Sequence, residues 1–359
     1  MTFECVNIHF SWIIFSDETL RINMKKKDKI TSIEVAQLAG VSQSTVSRSF
    51  SPESPVAVKT RERILGIANK IGYQPNAMAR SLITQKSNIV GIVISNVTTN
   101  PFYPEVLDLL SRKFQQNGQK VMLFSVHRDQ NLDDILPQLL EYQVDGILIT
   151  AATLSSAMAF ECQRWGTPLT LFNRYIPDSN ASWFCCDNVA GGRLVGQMFI
   201  DSGHKSPAFL AGNEDTSTSI DREKGFMEIM VENGVKALKE VGNYNYNDAY
   251  AAAVRLVDRP DPVDAIFCAN DIMAIGALDA IRSAMNMKVP EDVSIIGFDD
   301  IPMASWPSFN LTTVRQPVQS MVDDSVEDLI SRINTPEKPP NHKVIMGELV
   351  IRGSSRISI

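Results

Sequence analysis

No apolar run in the 359 residues approaches the roughly 20 needed to span a bilayer, which excludes a transmembrane helix. Cysteine is scarce and shows no pairing pattern: Cys5, Cys162, Cys185, Cys186 and Cys268 are odd in number, scattered, and include no C-x-x-C. Such usage excludes a disulfide scaffold and fits a reducing cytoplasm, with Cys185 and Cys186 read as plain strand or core residues. The four histidines, His9, His127, His204 and His342, lie too far apart for a metal-ligand spacing. No G-x-G-x-x-G follows a strand pattern, no G-x-x-x-x-G-K-[ST] is present, and no G-x-S-x-G elbow occurs. No enzymatic activity, cofactor or metal is therefore expected.

What is present is an ordinary globular composition, 44% hydrophobic and 21% charged, long enough for two or three domains of about 150 residues. The net charge of −7 conceals an asymmetry. Residues 24–86 carry eleven Lys/Arg against four Asp/Glu, whereas the chain from Ser87 onward balances at −12. A small basic head on an acidic body predicts that only the head meets a polyanion. Ahead of it, the run Ile8–Phe15 is aromatic and apolar but lacks a preceding basic region and a small-residue cleavage site, so it is a poor signal peptide. Met24-Lys25-Lys26-Lys27 opens directly before the first patterned helix. Residues 1–29 therefore read as an extension, disordered or not native, with Met24 as the expected natural start.

From Thr31 the pattern sharpens. Thr31 and Glu34 have capping-box spacing, and Val35, Leu38 and Ala39 form an apolar stripe that ends at Gly40. Ser42 is a good N-cap for a second helix over Gln43–Phe50. Its Val46 and Phe50 face inward, and Gln43, Ser44, Ser47 and Arg48 face solvent. Two short helices joined by a glycine turn read as a helix-turn-helix. A third helix starts near Thr60, with Ile64, Ile67, Ala68 and Ile71 as its core face and Gly72 at its end. Pro75 blocks extension, and Asn76, also expected to contact DNA, caps a short fourth segment, Ala77–Thr84. A helix fits the major groove with polar side chains of its first turns on base edges. That assigns Arg48, Gln43 and Ser44 to bases, and Thr45, Lys59 and Arg61 to phosphates.

These residues resemble the LacI/GalR family of bacterial transcriptional regulators. The resemblance is carried by Ile33-Glu34-Val35-Ala36-Gln37-Leu38-Ala39-Gly40-Val41-Ser42, Thr45-Val46-Ser47-Arg48, Lys59-Thr60-Arg61-Glu62-Arg63-Ile64, Gly72-Tyr73-Gln74-Pro75-Asn76 and Ala79-Arg80-Ser81-Leu82, and it continues to the C-terminus. The proline- and serine-rich loop Ser51–Val56 departs from the family's short turn. The resemblance implies that the fourth segment is a hinge helix ordering on operator DNA. In that role Leu82 wedges into the minor groove, with Ala79 and Arg80 beside it.

After Lys86, apolar runs alternate with helical stretches. The expected strands are Ile89–Ser95, Lys120–Val126, Val144–Thr150, Pro168–Asn173, Trp183–Cys186, Pro207–Ala211, Lys239–Val241, Ala265–Ala269 and Val293–Gly297. Such runs between helices predict parallel, doubly wound α/β sheets in two lobes. The resemblance implies the type I periplasmic-binding-protein-like body, with chain crossings near Asp187–Val189, Thr312–Pro317 and His342. The domains are then a helix-turn-helix head at 30–76, a hinge and linker at 77–86, and a body at 87–359. Its N-lobe is 87–187 plus 317–342, and its C-lobe is 188–312 plus 343–359.

Ligands of open α/β sheets bind at strand carboxyl ends, where aromatics, an arginine and carboxylates cluster here. Such a set suits a polyhydroxylated small molecule. By family position the site is lined by Phe102, Tyr103, Asn173, Arg222, Tyr244, Asn270 and Asp299. Asn173 stands where an acidic residue is frequent. Asp187 and Asp271 read as helix caps, and Trp183 as strand packing. The expected function is a cytoplasmic repressor. It binds a pseudo-palindromic double-stranded operator as a homodimer and is controlled by a carbohydrate between the lobes. The absence of a heptad tail after the last strand predicts a dimer and not a tail-linked tetramer. A secreted solute-binding protein shares the body but has no use for the head.

Overall fold

The computed structural model describes residues 30–50, 54–75, 86–95, 100–126, 132–150, 156–177 and 179–356. They fall into two units, a head before residue 86 and a body after it. The extension at 1–29, most of the hinge segment and residues 51–53 of the loop lie outside the described residues, as do the expected DNA contacts Asn76, Ala79 and Leu82.

The head is three helices, α1 (Ser32–Ala39), α2 (Gln43–Ser49) and α3 (Val58–Ile71). The Thr31 amide donates to Glu34 Oε2 at 2.6 Å and the Glu34 amide to Thr31 Oγ1 at 3.4 Å, which completes the capping box. Gly40 takes φ 63° and closes α1. Ser42 Oγ accepts the Thr45 amide at 3.2 Å and starts α2. The core is Val35, Ala36, Ala39, Val46, Ile64 and Ala68. Leu38 does not join it and is 62% exposed. At about 100° per residue, Val35, Ala39 and Ala36 share an arc of about 100°, and Leu38 falls about 60° beyond its edge. The third helix begins at Val58, two residues earlier than expected, behind Ala57, which makes no side-chain cap.

The body holds two six-stranded sheets. The first contains β1 (Ile89–Ser95), β2 (Lys120–Val126), β3 (Gly146–Thr150), β4 (Leu169–Phe172), β5 (Ser182–Cys186) and β11 (His342–Ile345), in the order β11-β5-β4-β3-β1-β2. All its pairings are parallel, with Ile92 opposite Leu123 on one side and Leu148 on the other. The second contains β6 (Pro207–Ala211), β7 (Leu238–Val241), β8 (Ala265–Cys268), β9 (Ser294–Asp299), β10 (Thr312–Arg315) and β12 (Glu348–Val350), in the order β12-β10-β9-β8-β6-β7. Only β12 pairs antiparallel. Central strands such as Gly146–Thr150 and Ala265–Cys268 are buried at every position, as parallel strands covered on both faces must be. Cys185 and Cys186 are buried among them.

The chain passes between sheets three times, after β5, after β10 and at Met346–Gly347. The third crossing comes later than the expected position near His342. His342 pairs opposite Trp183 in the first sheet, and the two rings stack at 4.9 Å, so the first lobe runs to Ile345. In the second lobe the helices Asn188–Asp201 and Ser217–Glu232 approach closely. A methyl at Gly225 would run into the Val189 carbonyl, and one at Gly192 into the Arg222 carbonyl. This contact sets the height at which Arg222 enters the region between the lobes.

Candidate functional site

On the head, Gln43, Ser44 and Arg48 are exposed, and Thr45 and Ser47 are half-buried. Gln43 Nε2 donates to Ser32 Oγ at 2.9 Å, which steadies it at the start of α2. Ser44 Oγ lies 2.9 Å from Ser42 Oγ. Arg48 makes a long 3.3 Å bond to the Ser44 carbonyl, leaving its guanidinium end facing solvent. Lys59 is exposed near the start of α3, as a phosphate contact must be. Arg61 differs from expectation. It is half-buried and donates to the Ser54 carbonyl at 2.8 Å, so it ties the preceding loop to α3.

In the body, the strand ends converge on a cleft lined by Asn100, Tyr103, Asn173, Arg174, Thr218, Arg222, Tyr244, Asn270 and Asp299. Six of the seven expected effector residues are among them. The seventh, Phe102, packs edge-on to Tyr103 at 5.4 Å in the core and borders a neighbouring groove, because it opens its helix one position too early to turn into the cleft. Asn100, Arg174 and Thr218 line the cleft too but are not among the seven expected effector residues. Asn100 and Arg174 adjoin predicted positions, and only the two-lobed topology brings Thr218 to them.

Arg222 organises the floor. It is 2% exposed and lies over the Phe298 ring, its guanidinium carbon 3.6 Å from the centroid. Its Nε donates to Asn188 Oδ1 at 2.8 Å, and another nitrogen donates to the Ala269 carbonyl. Asp299 faces it at 3.7 Å and accepts from Gln316 Nε2 at 2.6 Å. Burial pushes the Asp299 carboxyl up to about 6, against the pull of Arg222. Its backbone sits at φ 123° and that of Asp300 at φ 58°, conformations that cost an L-residue about 1–3 kcal/mol each. Asp300 is held there between Arg315 at 2.7 Å and Arg352 at 2.6 Å.

Two buried amides are incompletely matched. Asn173, at φ 60° after β4, leaves Oδ1 without a partner, and Asn270 leaves Nδ2 without one. Asn270 Oδ1 caps the next helix through the Met273 amide at 3.1 Å. The cap is thus Asn270 and not Asp271. Asp271 instead accepts from Thr313 Oγ1 at 2.5 Å and the Ile301 amide at 2.9 Å, and burial raises its carboxyl to about 7. Asp187 does cap, through the Ala190 amide at 2.8 Å. Tyr244 lies flat on Gly212, where any side chain would strike its ring, and shares a 2.9 Å hydrogen bond with Thr218. The space left between these groups is about 20 Å³, close to one water. The cleft thus offers unmatched donors and acceptors, a ring face and a buried ion pair. Among the described residues no three His, Cys, Asp or Glu side chains gather to hold a metal, and no helix is long and apolar enough to cross a membrane.

The family descriptions "Bacterial regulatory proteins, lacI family" and "Periplasmic binding protein-like domain" match residues 32–76 and 197–355 respectively. A Bacillus subtilis (strain 168) protein named "Probable HTH-type transcriptional repressor ExuR" is 30% identical over 333 residues, covering 91% of this chain and 98% of its own. The chain belongs to the LacI family. The ribose operon repressor of Escherichia coli (strain K12) is also 30% identical, over 330 residues, covering 90% of this chain and 99% of its own. Among solved structures of LacI-type regulators, a transcriptional regulator CelR–cellobiose complex is similar with a TM-score of 0.70 and 29% identity, covering 91% of this chain and all of that one. A lac repressor dimer bound to operator and an anti-inducer has the same fold, with a TM-score of 0.81 at 24% identity and coverage of 91% and 99%. This LacI-family chain is accordingly a DNA-binding transcriptional regulator with a helix-turn-helix head and a type I periplasmic-binding-like body.

Proposed function

We propose that the protein is a repressor that binds a pseudo-palindromic operator as a homodimer and is released or retained by a carbohydrate held between its lobes. The observation that carries this reading is the cleft. Two buried asparagines with unmatched polar atoms, beside an arginine–aspartate pair and a tyrosine face, call for a ligand rich in hydroxyl groups. The exposed face of α2 supplies the other half. Arg48 suits a bidentate contact to guanine, and Gln43 and Ser44 suit neighbouring bases. Thr45, Ser47 and Lys59 position the helix on the backbone, Asn76 meets DNA where it caps the hinge segment, and the hinge residues Ala79 and Leu82 are assigned to the minor groove. A dimer places two such helices about one DNA turn apart. A sugar filling the cleft requires the lobes to shift, since the space between them is about 20 Å³.

The test is selection of duplexes from a random library by the full chain, followed by anisotropy titrations of the best duplex over a salt series. Affinity that falls steeply with salt and a two-fold symmetric consensus are expected. Salt-independent binding, or selection of no consensus, would overturn the reading.

A further inference from the structure

Arg174 carries a charge that nothing in the cleft balances. It follows Asn173 at the end of β4, lines the cleft and, among the described residues, makes no hydrogen bond or ion pair. The lining contains two arginines and one aspartate. That aspartate is already engaged, with Arg222 at 3.7 Å, Gln316 at 2.6 Å and the side chain of Asn100. The groups that feel Arg174 most closely are neutral near pH 7: burial pushes the Tyr103 hydroxyl up to about 12 and the Cys185 thiol higher still. Asp221 lies outside the cleft lining and accepts from the Tyr175 hydroxyl at 3.1 Å.

The unliganded cleft leaves Arg174 half-exposed, so water supports its charge. A ligand that covers it strips that water away. A hydroxyl returns only part of what is lost, whereas a carboxylate or phosphate restores it through a bidentate, charge-assisted pair. The remaining unmatched atoms, Asn173 Oδ1 and Asn270 Nδ2, are one acceptor and one donor, and they suit ring hydroxyls. We propose that the effector is a monosaccharide bearing an anionic substituent, carboxylate or phosphate, seated against Arg174. This rests on the carbohydrate reading of the cleft and narrows it.

The test is calorimetry on the full chain with three matched sugar series, glucose, galactose and ribose. Each is presented as the neutral sugar, the sugar acid and the terminal phosphate. In at least one series an anionic form should bind about 10- to 100-fold tighter than its neutral parent, and added salt should narrow the gap. Comparison of the acid with the phosphate identifies the substituent. Arg174→Gln should erase most of the preference, Arg174→Lys should restore part of it, and neither should move the melting temperature, because the wild-type side chain holds no partner. Neutral sugars binding as tightly as both their anionic forms in every series that binds would overturn the proposal and leave the carbohydrate reading standing. Full preference surviving in Arg174→Gln would do the same. Failure of all nine compounds to bind would overturn both.

Discussion

The head and the body put their polar chemistry in opposite places. In the head every described polar side chain assigned to DNA is exposed or half-buried, and the core beneath is six small or medium apolar residues. In the body the chemistry is inside. Arg222, Asn173, Asn270, Asp271 and Asp299 are all buried, and Arg222, Asp271 and Asp299 are held by partners from distant parts of the chain. A surface that reads DNA must meet an already charged, hydrated partner, so exposure serves it. A cleft that senses a small neutral or singly charged molecule gains selectivity by leaving buried polar atoms unmatched until the right ligand arrives. The consequence is that substitutions of the buried, partnered residues in the body's site disturb folding and function together, whereas those on the head's face disturb function alone.

The largest expected effect breaks the body side of that contrast. Arg222→Ala leaves the Asp299 carboxylate buried without its cation and should cost about 3–5 kcal/mol. That is a fall of about 10 °C in the body's thermal transition, with the sugar response lost as well. A body that melts normally would show that the ion pair does not organise the cleft.

The next effect sharpens the contrast through pH. Burial raises Asp271 to about 7 and Asp299 to about 6. The folded body therefore keeps protons that the unfolded chain releases above about pH 4. The stability they contribute is full below that point and is lost as pH rises through 6 and 7. The body should thus be less stable at pH 8 than at pH 5, by on the order of 2 kcal/mol, and Asp271→Asn should flatten the slope. The head has no buried ionisable side chain among its described residues, and its stability should not follow this trend. Denaturant melts at both pH values, followed separately for each unit, give the comparison.

Arg48→Ala tests the head. It should reduce preference for the selected duplex by about 1–3 kcal/mol, roughly 5- to 150-fold, while nonspecific affinity and the melting temperature stay near wild type. Unchanged preference would remove Arg48 from base reading. The smallest effect is Thr31→Ala, which deletes the capping box and should cost about 1 kcal/mol of head stability without altering sugar binding.

The same division decides what could be read from the sequence. Head signals are local: Thr31 with Glu34, Gly40, Ser42 and Gly72 lie within a few residues of what they control, and the helices began and ended close to where those residues placed them. The miss at Leu38 arose because a stripe of three small helices is narrow, and apolar character alone does not say which edge is covered. Strands β1, β2 and β6 match their expected bounds, each a short, mostly apolar run between helical stretches. The cleft is different. Asn173, Arg222, Tyr244 and Asn270 were placed by family position, and Thr218 becomes a cleft residue only once two sheets face each other. Phe102 misled because an aromatic beside a strand end serves a core as readily as a ring-binding wall. The Asp271 cap was misplaced by one residue, since Asn270 and Asp271 have equal claim on a helix start and only the tertiary contacts with Thr313 and Ile301 assign the aspartate elsewhere.

The central claim is that occupancy of the buried cleft sets the affinity of the exposed face for DNA. It is tested most directly by anisotropy titrations of the selected duplex, without sugar and with the best calorimetric binder at saturation. These are paired with calorimetry of that sugar in the presence and absence of the duplex. The account predicts that both affinities change, by the same factor. Duplex affinity that stays constant while the sugar is bound would contradict it.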